Sequence, residues 1–337
     1  MAALRMADMR IPTCRSDSEF HFTEEQIDAI IRITASPCEH PDSSIAFLPP
    51  KHELVQQFIA LPFPQAAHTG LGSLNRLPLE LIRHISLCMD MRSLFAFRQV
   101  NRRARQVANS LQEYRLVASH GLDMYCALLR TQTAANISLS DFYHMLCIKA
   151  CAFCGMFAKF VFLPTWNRCC FNCLHLAPEV KMRRLEDVQQ DFGLSNAQVE
   201  RLTKFRIPPG TRLPRLVTEK TRTTLAPCLT LVREFQAALL AGCDPRAWGA
   251  GRGRGRGAPT RADLFFQHGN FSSLAACALP YYDERTRKVA PGLSCVGCGL
   301  AMHDPLRWSV HACHEVYARA DFLEHFGGAK ARRRCGC

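Results

Sequence analysis

The chain has 337 residues and a hydrophobic content of 48%, enough for one large folded unit or two or three small ones. Its formal charge of +13 is uneven: residues 1–70 hold 5 Lys/Arg against 9 Asp/Glu, a net of −4, so the remainder carries +17. No apolar run approaches the ~20 residues that cross a bilayer, and the opening residues lack the apolar stretch of an export signal. The expected setting is therefore cytoplasmic or nuclear, with no membrane partner. In such a reducing compartment the 18 cysteines read as metal ligands or buried thiols.

Residues 1–72 mix Pro, Ser and acids around two short amphipathic pieces. In EEQIDAIIRIT, Ile27, Ile30, Ile31 and Ile33 fall near one helical face, and HELVQQFIA repeats the pattern with Leu54, Val55, Phe58 and Ile59. Separated by turn-rich SPCEHPDSS, these pieces are too short to build a core, and the expectation is a disordered acidic arm.

Periodicity sharpens at LNRLPLELIRHISLCMDMRSLFAFRQVNRRARQVANSLQEYRLV, which reads as two helices. The first follows Pro78 and places Leu81, Ile82 and Ile85 on one face. Asp90 and Ser93 compete to cap the second, whose apolar stripe is Leu94, Phe97, Val100, Ala104, Val107 and Leu111. The opposite face carries Arg98, Arg102, Arg103 and Arg105. A helix pair of ~40 residues buries too little surface to stand alone and needs a second surface to cover it.

Further helices are expected at DMYCALLRT and SDFYHMLCIKA, then a helical pair over 181–206 capped at Ser195, and another helix over 229–242 ending at a glycine. The tract WGAGRGRGRGAPTRAD alternates Gly with Arg, cannot pack a core, and reads as a linker over 247–262.

Cysteine spacing carries the strongest chemistry. CAFCGMFAKFVFLPTWNRCCFNC contains Cys151, Cys154, Cys170 and Cys173 as C-x2-C-x15-C-x2-C, a zinc-type spacing in which each short turn aims two sulfurs at one point. Gly155 permits the turn, and Phe157 with Phe160–Leu163 supplies strand chemistry for a short hairpin between the knuckles. Cys169 is adjacent to Cys170 and either thiol satisfies composition; the C-x2-C turn favours Cys170. Farther on, Cys295 and Cys298 form a second knuckle for which His303, His311, Cys313, His314, His325, Cys335 and Cys337 compete. Four thiolates close a metal site to water, and neither the zinc-deaminase signature, H-E-x2-H, a P-loop nor a nucleophile elbow is present, so a catalytic role is not expected.

Leu77, Pro78, Glu80, Leu81, Ile85, Asp90, Leu94 and Val100, followed by Asn101-Arg102-Arg103, resemble the F-box motif. EYRLVASHGLDMYCALLRT, the cysteine stretch, FGLSNAQVERL, ALPYYDERTRKVAPGLSCVGC and VYARADFLEHF extend the likeness to filamentous-fungal F-box proteins over most of residues 74–326. That resemblance implies a non-catalytic substrate receptor of a Skp–cullin–F-box ubiquitin ligase, with an unknown protein substrate. Leu77, Pro78, Glu80, Leu81, Ile85, Leu94 and Val100 would contact the Skp adaptor. It also implies a second site completed by His325 and a nearby cysteine. Ala329 stands at the expected cysteine position; either Cys335, which is preferred, or Cys337 replaces it, or the second site is incomplete.

The resulting expectation is a mainly α, α+β chain: a disordered arm over 1–72, F-box helices over 73–112, a helical body over 113–246 with its zinc knuckle at 147–177, the linker, and a C-terminal segment over 263–337. The competing reading is a zinc-stabilised nucleic-acid binder that uses the basic body and the Gly-Arg tract.

Overall fold

The computed structural model describes residues 23–37, 59, 70–192, 194, 196–207, 223–228, 271–301 and 315–334. The Gly-Arg tract, the helix expected over 229–242, Ser195, His303, His311, Cys313, His314, Cys335 and Cys337 lie outside them.

The centre of the molecule is helical. α2 (Leu79–Cys88), α3 (Met91–Val100), α4 (Arg102–Ser110), α5 (Gln112–His120), α6 (Leu122–Thr131) and α7 (Leu139–Cys147) follow one another with short breaks, and α1 (Glu24–Thr34) lies apart in sequence. The expected long second helix is two helices. Asn101 leaves helical geometry at φ −163° and ψ 175°, and its side-chain oxygen accepts a hydrogen bond from the Ala104 N–H at 2.8 Å. A cap of this kind restarts a helix at a new angle, which periodicity cannot reveal. Asp90, not Ser93, caps α3, accepting from the Ser93 N–H at 2.8 Å.

The polar face expected on the second helix also differs. Arg98 is buried, donates from Nε and Nη2 to the Asn109 side-chain oxygen at 3.2 and 3.1 Å, and stacks its guanidinium 4.8 Å from the centroid of Tyr114. Arg105 is buried as well, whereas Arg102 and Arg103 are exposed.

One apolar core runs from Met91, Leu94 and Ala108 through Tyr114, Tyr125, Leu128 and Phe142 to Phe160, Val161, Phe162 and Leu274. Edge-to-face ring contacts link Tyr114, Tyr125, Phe142 and Trp166 at centroid separations of 5.8–6.4 Å. Such contacts fix ring orientation as well as burying area.

Small antiparallel sheets surround this core, one of them the ribbon of β8 (Tyr281–Asp283) and β9 (Lys288–Ala290). β2 (Phe160–Phe162) and β3 (Asn167–Cys169) form the hairpin expected between the knuckles, but β7 (Ala276–Ala278) pairs on the free side of β2. The division between a body at 113–246 and a C-terminal segment at 263–337 is thus crossed by a continuous sheet. The helical pair expected over 181–206 keeps its two helices, α9 (Leu185–Phe192) and α10 (Asn196–Arg201). Its ends are strands: β4 (Met182–Arg184) and β5 (Phe205–Ile207) flank β6 (Thr223–Pro227). Three-residue strands take their stability from partners remote in sequence, so a helical period reads through them.

The disordered arm is corrected where it is described. α1 begins with a reciprocal capping box between Thr23 and Gln26 and leads into β1 (Ala35–Pro37), which pairs with β10 (Leu293–Cys295). Ile33 lies 76% exposed, away from the face expected for it. Ile59 is buried in the main core, and its carbonyl accepts from the Tyr114 hydroxyl at 2.6 Å. Residues 24–37 and Ile59 are held in place because remote residues supply the surface that the arm lacks.

Candidate adaptor-docking face and metal centres

α2 uses two faces. Ile82 and Ser86 point inward and are buried, and the Ser86 hydroxyl donates to the Ile82 carbonyl at 2.8 Å. Leu81 and Ile85, four residues apart, point out with 51% and 49% of their surface exposed. The expectation of Leu81, Ile82 and Ile85 on one face is corrected, since Ile82 sits one ~100° step away from Leu81. Leu77 and Leu74 extend the outward row through the 3-10 turn at Gly72–Arg76. Val100 is 71% exposed at the end of α3. The Asn101 side-chain amide donates to the Gly70 carbonyl at 3.1 Å, tying the start of that turn to the Val100–Asn101 junction. Pro78 and Glu80 are exposed alongside.

Leu94 departs from this set. It is wholly buried in the main core and cannot offer an adaptor any surface. Its place in the motif is structural: it anchors α3 while the outer row stays free. Backbone bonds reinforce the anchor, with the Met91 N–H donating to the Ile137 carbonyl at 2.8 Å and the Leu139 N–H to the Met89 carbonyl at 3.0 Å. The Tyr125 hydroxyl donates to the Met91 carbonyl at 3.1 Å.

The first cysteine group assembles beyond α7. Cys151, Cys154, Cys170 and Cys173 place their sulfurs within 4.8 Å of one another, and Cys154 and Cys170 are separated by 3.6 Å. The knuckle turn between Cys151 and Gly155 closes with the Gly155 N–H on the Cys151 carbonyl at 2.9 Å, and Gly155 adopts φ +77°, a left-handed value that a side chain disfavours. On the other side, Cys170 caps α8 (Phe171–Leu176), its sulfur accepting from the Cys173 N–H at 3.4 Å.

The thiols do not titrate independently. Hydrogen bonds from Cys154, Cys170 and Cys173 hold the Cys151 thiol far below the usual range. Cys154 is opposed by Cys151 but supported by Cys170 and Cys173, and lies lowered to about 7. Cys170 and Cys173 are pushed up, first of all by their hydrogen bonds with Cys151 and Cys154. Four sulfurs gathered at one point are suited to a divalent cation, which would hold all of them as thiolates.

Cys169 stays outside the group. It is buried in the main core, and burial pushes its thiol well above the ordinary value, so it remains a neutral apolar side chain. Cys277, Cys126 and Cys228 are held up by burial in the same way.

A second group joins Cys295 and Cys298 to His325. Cys295 ends β10, Cys298 lies in α11 (Val296–Ala301), and His325 sits on α12 (Arg319–Arg334). Cys298 Sγ lies 3.3 Å from His325 Nε2. Hydrogen bonding from Cys298, opposed by burial and aided by His325, lowers Cys295 to about 4. Sequence reasoning missed the residue that orients the imidazole. Tyr317, in β11 (Val316–Tyr317), stacks on His325 at 4.6 Å between centroids, with its hydroxyl 3.2 Å from Nδ1. The same hydroxyl donates to Glu315 Oε2 at 2.5 Å. An oriented imidazole presents Nε2 to the thiols, the arrangement expected of a metal-ligating histidine. A Tyr eight positions before a His gives no sequence signal of that contact.

Sequence reasoning also passed over Arg168. This buried side chain in β3 donates to five main-chain carbonyls: Met145 at 3.0 Å, Ala158 at 2.7 Å, Leu279 at 2.8 Å, Leu146 at 3.5 Å and Pro280 at 2.6 Å. It therefore joins the end of α7, the entry to β2 and the exit from β7, immediately before the Cys169–Cys170 pair.

Residues 74–116 match the F-box domain family. That span contains the outward row from Leu74 to Val100 together with α2, α3 and α4. Neither the curated proteins nor the solved structures contain a match to the chain. Among the described residues, no helix is long and apolar enough to cross a membrane.

Proposed function

We propose that this protein is a substrate-receptor subunit of a Skp–cullin–F-box ubiquitin ligase, non-catalytic in itself. On this reading the F-box docks on a Skp adaptor, which bridges to the cullin scaffold, and the remaining chain captures a protein substrate. One observation carries the reading. Within the matched span, Leu77, Leu81, Ile85 and Val100 stand open to solvent, while the same helices are fastened to the body by Ile82, Met91 and Leu94. Exposed apolar side chains in a row on helices held rigid from behind suit an apolar partner surface.

The cysteine groups fit structural zinc. Tetrahedral zinc with bonds near 2.3 Å needs sulfurs ~3.8 Å apart, and the 3.6 Å between Cys154 and Cys170 is close to that. Cys151, Cys154, Cys170 and Cys173 would fill all four positions. Cys295, Cys298 and His325 would supply three, with Cys335 assigned to the fourth. Zinc would fasten short strands and knuckles that have little core of their own. Residence in the cytoplasm or nucleus follows from the reading.

Binding of the purified full chain to a Skp adaptor tests the proposal. Leu77→Ala/Leu81→Ala/Ile85→Ala removes three exposed anchors, and each is worth about 1–2 kcal/mol in a buried contact. Affinity should fall at least ~100-fold without loss of folding. Equal binding by wild type and triple variant would refute the assignment. Wild-type adaptor affinity should change little between 50 and 200 mM salt. Tight binding to nucleic acid that collapses over that range, with no adaptor binding, would favour the basic-body reading instead.

A further inference from the structure

The N-terminal arm returns to the far end of the chain. β1 runs antiparallel to β10 with Ala35 opposite Cys295, Ser36 opposite Ser294 and Pro37 opposite Leu293. β10 is the central strand of the β1–β10–β11 sheet. Ahead of β1, α1 meets Arg319, the first residue of α12. One guanidinium nitrogen lies 2.7 Å from Glu24 Oε2 and another 2.8 Å from Asp28 Oδ1. Glu24 and Asp28 are one helical turn apart, so a single arginine can hold both.

Two features fit a detachable contact. No residue of α1 is buried, so the segment has no core of its own to lose. Its ion pairs are partly exposed, and pairs of that kind contribute little by themselves. The arm depends on its seat.

That seat has two parts, the free edge of β10 and Arg319 at the start of α12. The apolar cluster beneath them holds Phe157, Val316 and Ala318, with Tyr281 packed against it; Tyr317 of β11 and Phe322 of α12 are buried too, their rings 6.2 Å apart. Two connections join the parts: β11 pairs with β10 and leads through Ala318 into α12, and the second ligand group spans the same two elements again. Cys295 closes β10, Cys298 follows in α11, and His325 lies on α12 six positions after Arg319. A metal bound by these three side chains would brace α12 against β10 beyond what the β10–β11 pairing and the Ala318 link supply, and would steady the Arg319 end of the seat.

We propose that residues 24–37 form a metal-dependent clasp: the Cys295–Cys298–His325 centre builds its docking seat, and loss of metal there releases the arm. The inference rests on the zinc reading of that centre. Release leaves β10 with an unpaired edge beside a cationic side chain, a surface that accepts an extended segment with acidic residues upstream. In the seated state the chain's own arm occupies it.

Amide hydrogen exchange with zinc stoichiometry, on the full chain, tests this. Wild type should bind two zinc equivalents and protect residues 24–37. Cys298→Ser should bind one, and exchange across 24–37 should rise about tenfold or more while the α7 amides of 139–147 keep their protection. Arg319→Glu should keep both equivalents yet speed exchange across 24–34. A single zinc equivalent in wild type would overturn the metal reading of this centre and the clasp with it. Two equivalents in wild type, with arm exchange unchanged in Cys298→Ser, would overturn the clasp alone. Unchanged arm exchange in Arg319→Glu, or equal loss of protection at 139–147 in Cys298→Ser, would overturn it too.

Discussion

Replacing Arg168 by methionine should be among the most damaging single changes available in this protein. The variant keeps an unbranched apolar stem but removes every donor serving the carbonyls of Met145, Leu146, Ala158, Leu279 and Pro280. Each buried acceptor left unmet costs about 1–3 kcal/mol. Part of that is returned, because burial, opposed by Cys169 and Cys147, pulls the guanidinium pKa down to about 10 from an ordinary 12.5, a net charge-burial cost of about 3 kcal/mol. Some carbonyls also retain other donors; Met145 still accepts from the Ile148 N–H at 3.4 Å. A net loss of about 3–5 kcal/mol follows, within the range for removing one member of a buried charged network. In a chain of this size it lowers Tm by on the order of 5–15 °C. Urea and thermal denaturation of zinc-replete protein measure it directly. Arg168→Lys should recover only part of the loss, since an ammonium has three donors and no planar fork. If Arg168→Met lies within about 1 kcal/mol of wild type, the carbonyls are met by water and Arg168 does not organise the sheet junction.

Two further outcomes follow from the same geometry. Cys170→Ser should lower bound zinc by one equivalent and destabilise the knuckle, whereas Cys169→Ser should retain the metal and cost about 1–3 kcal/mol for burying a hydroxyl in the apolar core; metal analysis of both proteins checks the distinction. Gly292→Ala should destabilise the C-terminal sheet by about 1–3 kcal/mol. Gly292 has φ +88°, and an added Cβ would lie 2.3 Å from Val316 Cγ1 and 2.7 Å from Phe157 Cε1. Chemical denaturation followed by exchange at residues 293–295 measures that loss.

Local chemistry was legible wherever a feature repeats within a turn or two. The C-x2-C turns, the helices at Leu79–Cys88 and Leu139–Cys147, and the hairpin of Phe160–Phe162 with Asn167–Cys169 each leave a short-range pattern. The outer row Leu77, Leu81 and Ile85 is likewise visible as apolar positions four apart. Which apolar residues face inward was not visible. Ile82 and Leu94 carry the same hydrophobic signal as Leu81 and Val100, yet the first two are buried and the others exposed. Burial is a property of what packs against a helix, and periodicity reports only that some face is apolar.

The F-box span, the two C-x2-C turns and a mainly helical backbone could be read from the sequence, because capping, period and ligand spacing act between near neighbours. Packing in three dimensions sets the rest: residues 35–37 complete a sheet with residues 293–295, and residues 276–278 extend the hairpin between the cysteine pairs. It alone placed Tyr317 behind His325 and left Cys169 as a core thiol beside a ligand-group neighbour. Strands of three residues carry too little local preference to announce a partner more than 100 positions away. A buried arginine is likewise indistinguishable from a surface one until the carbonyls around it are in place.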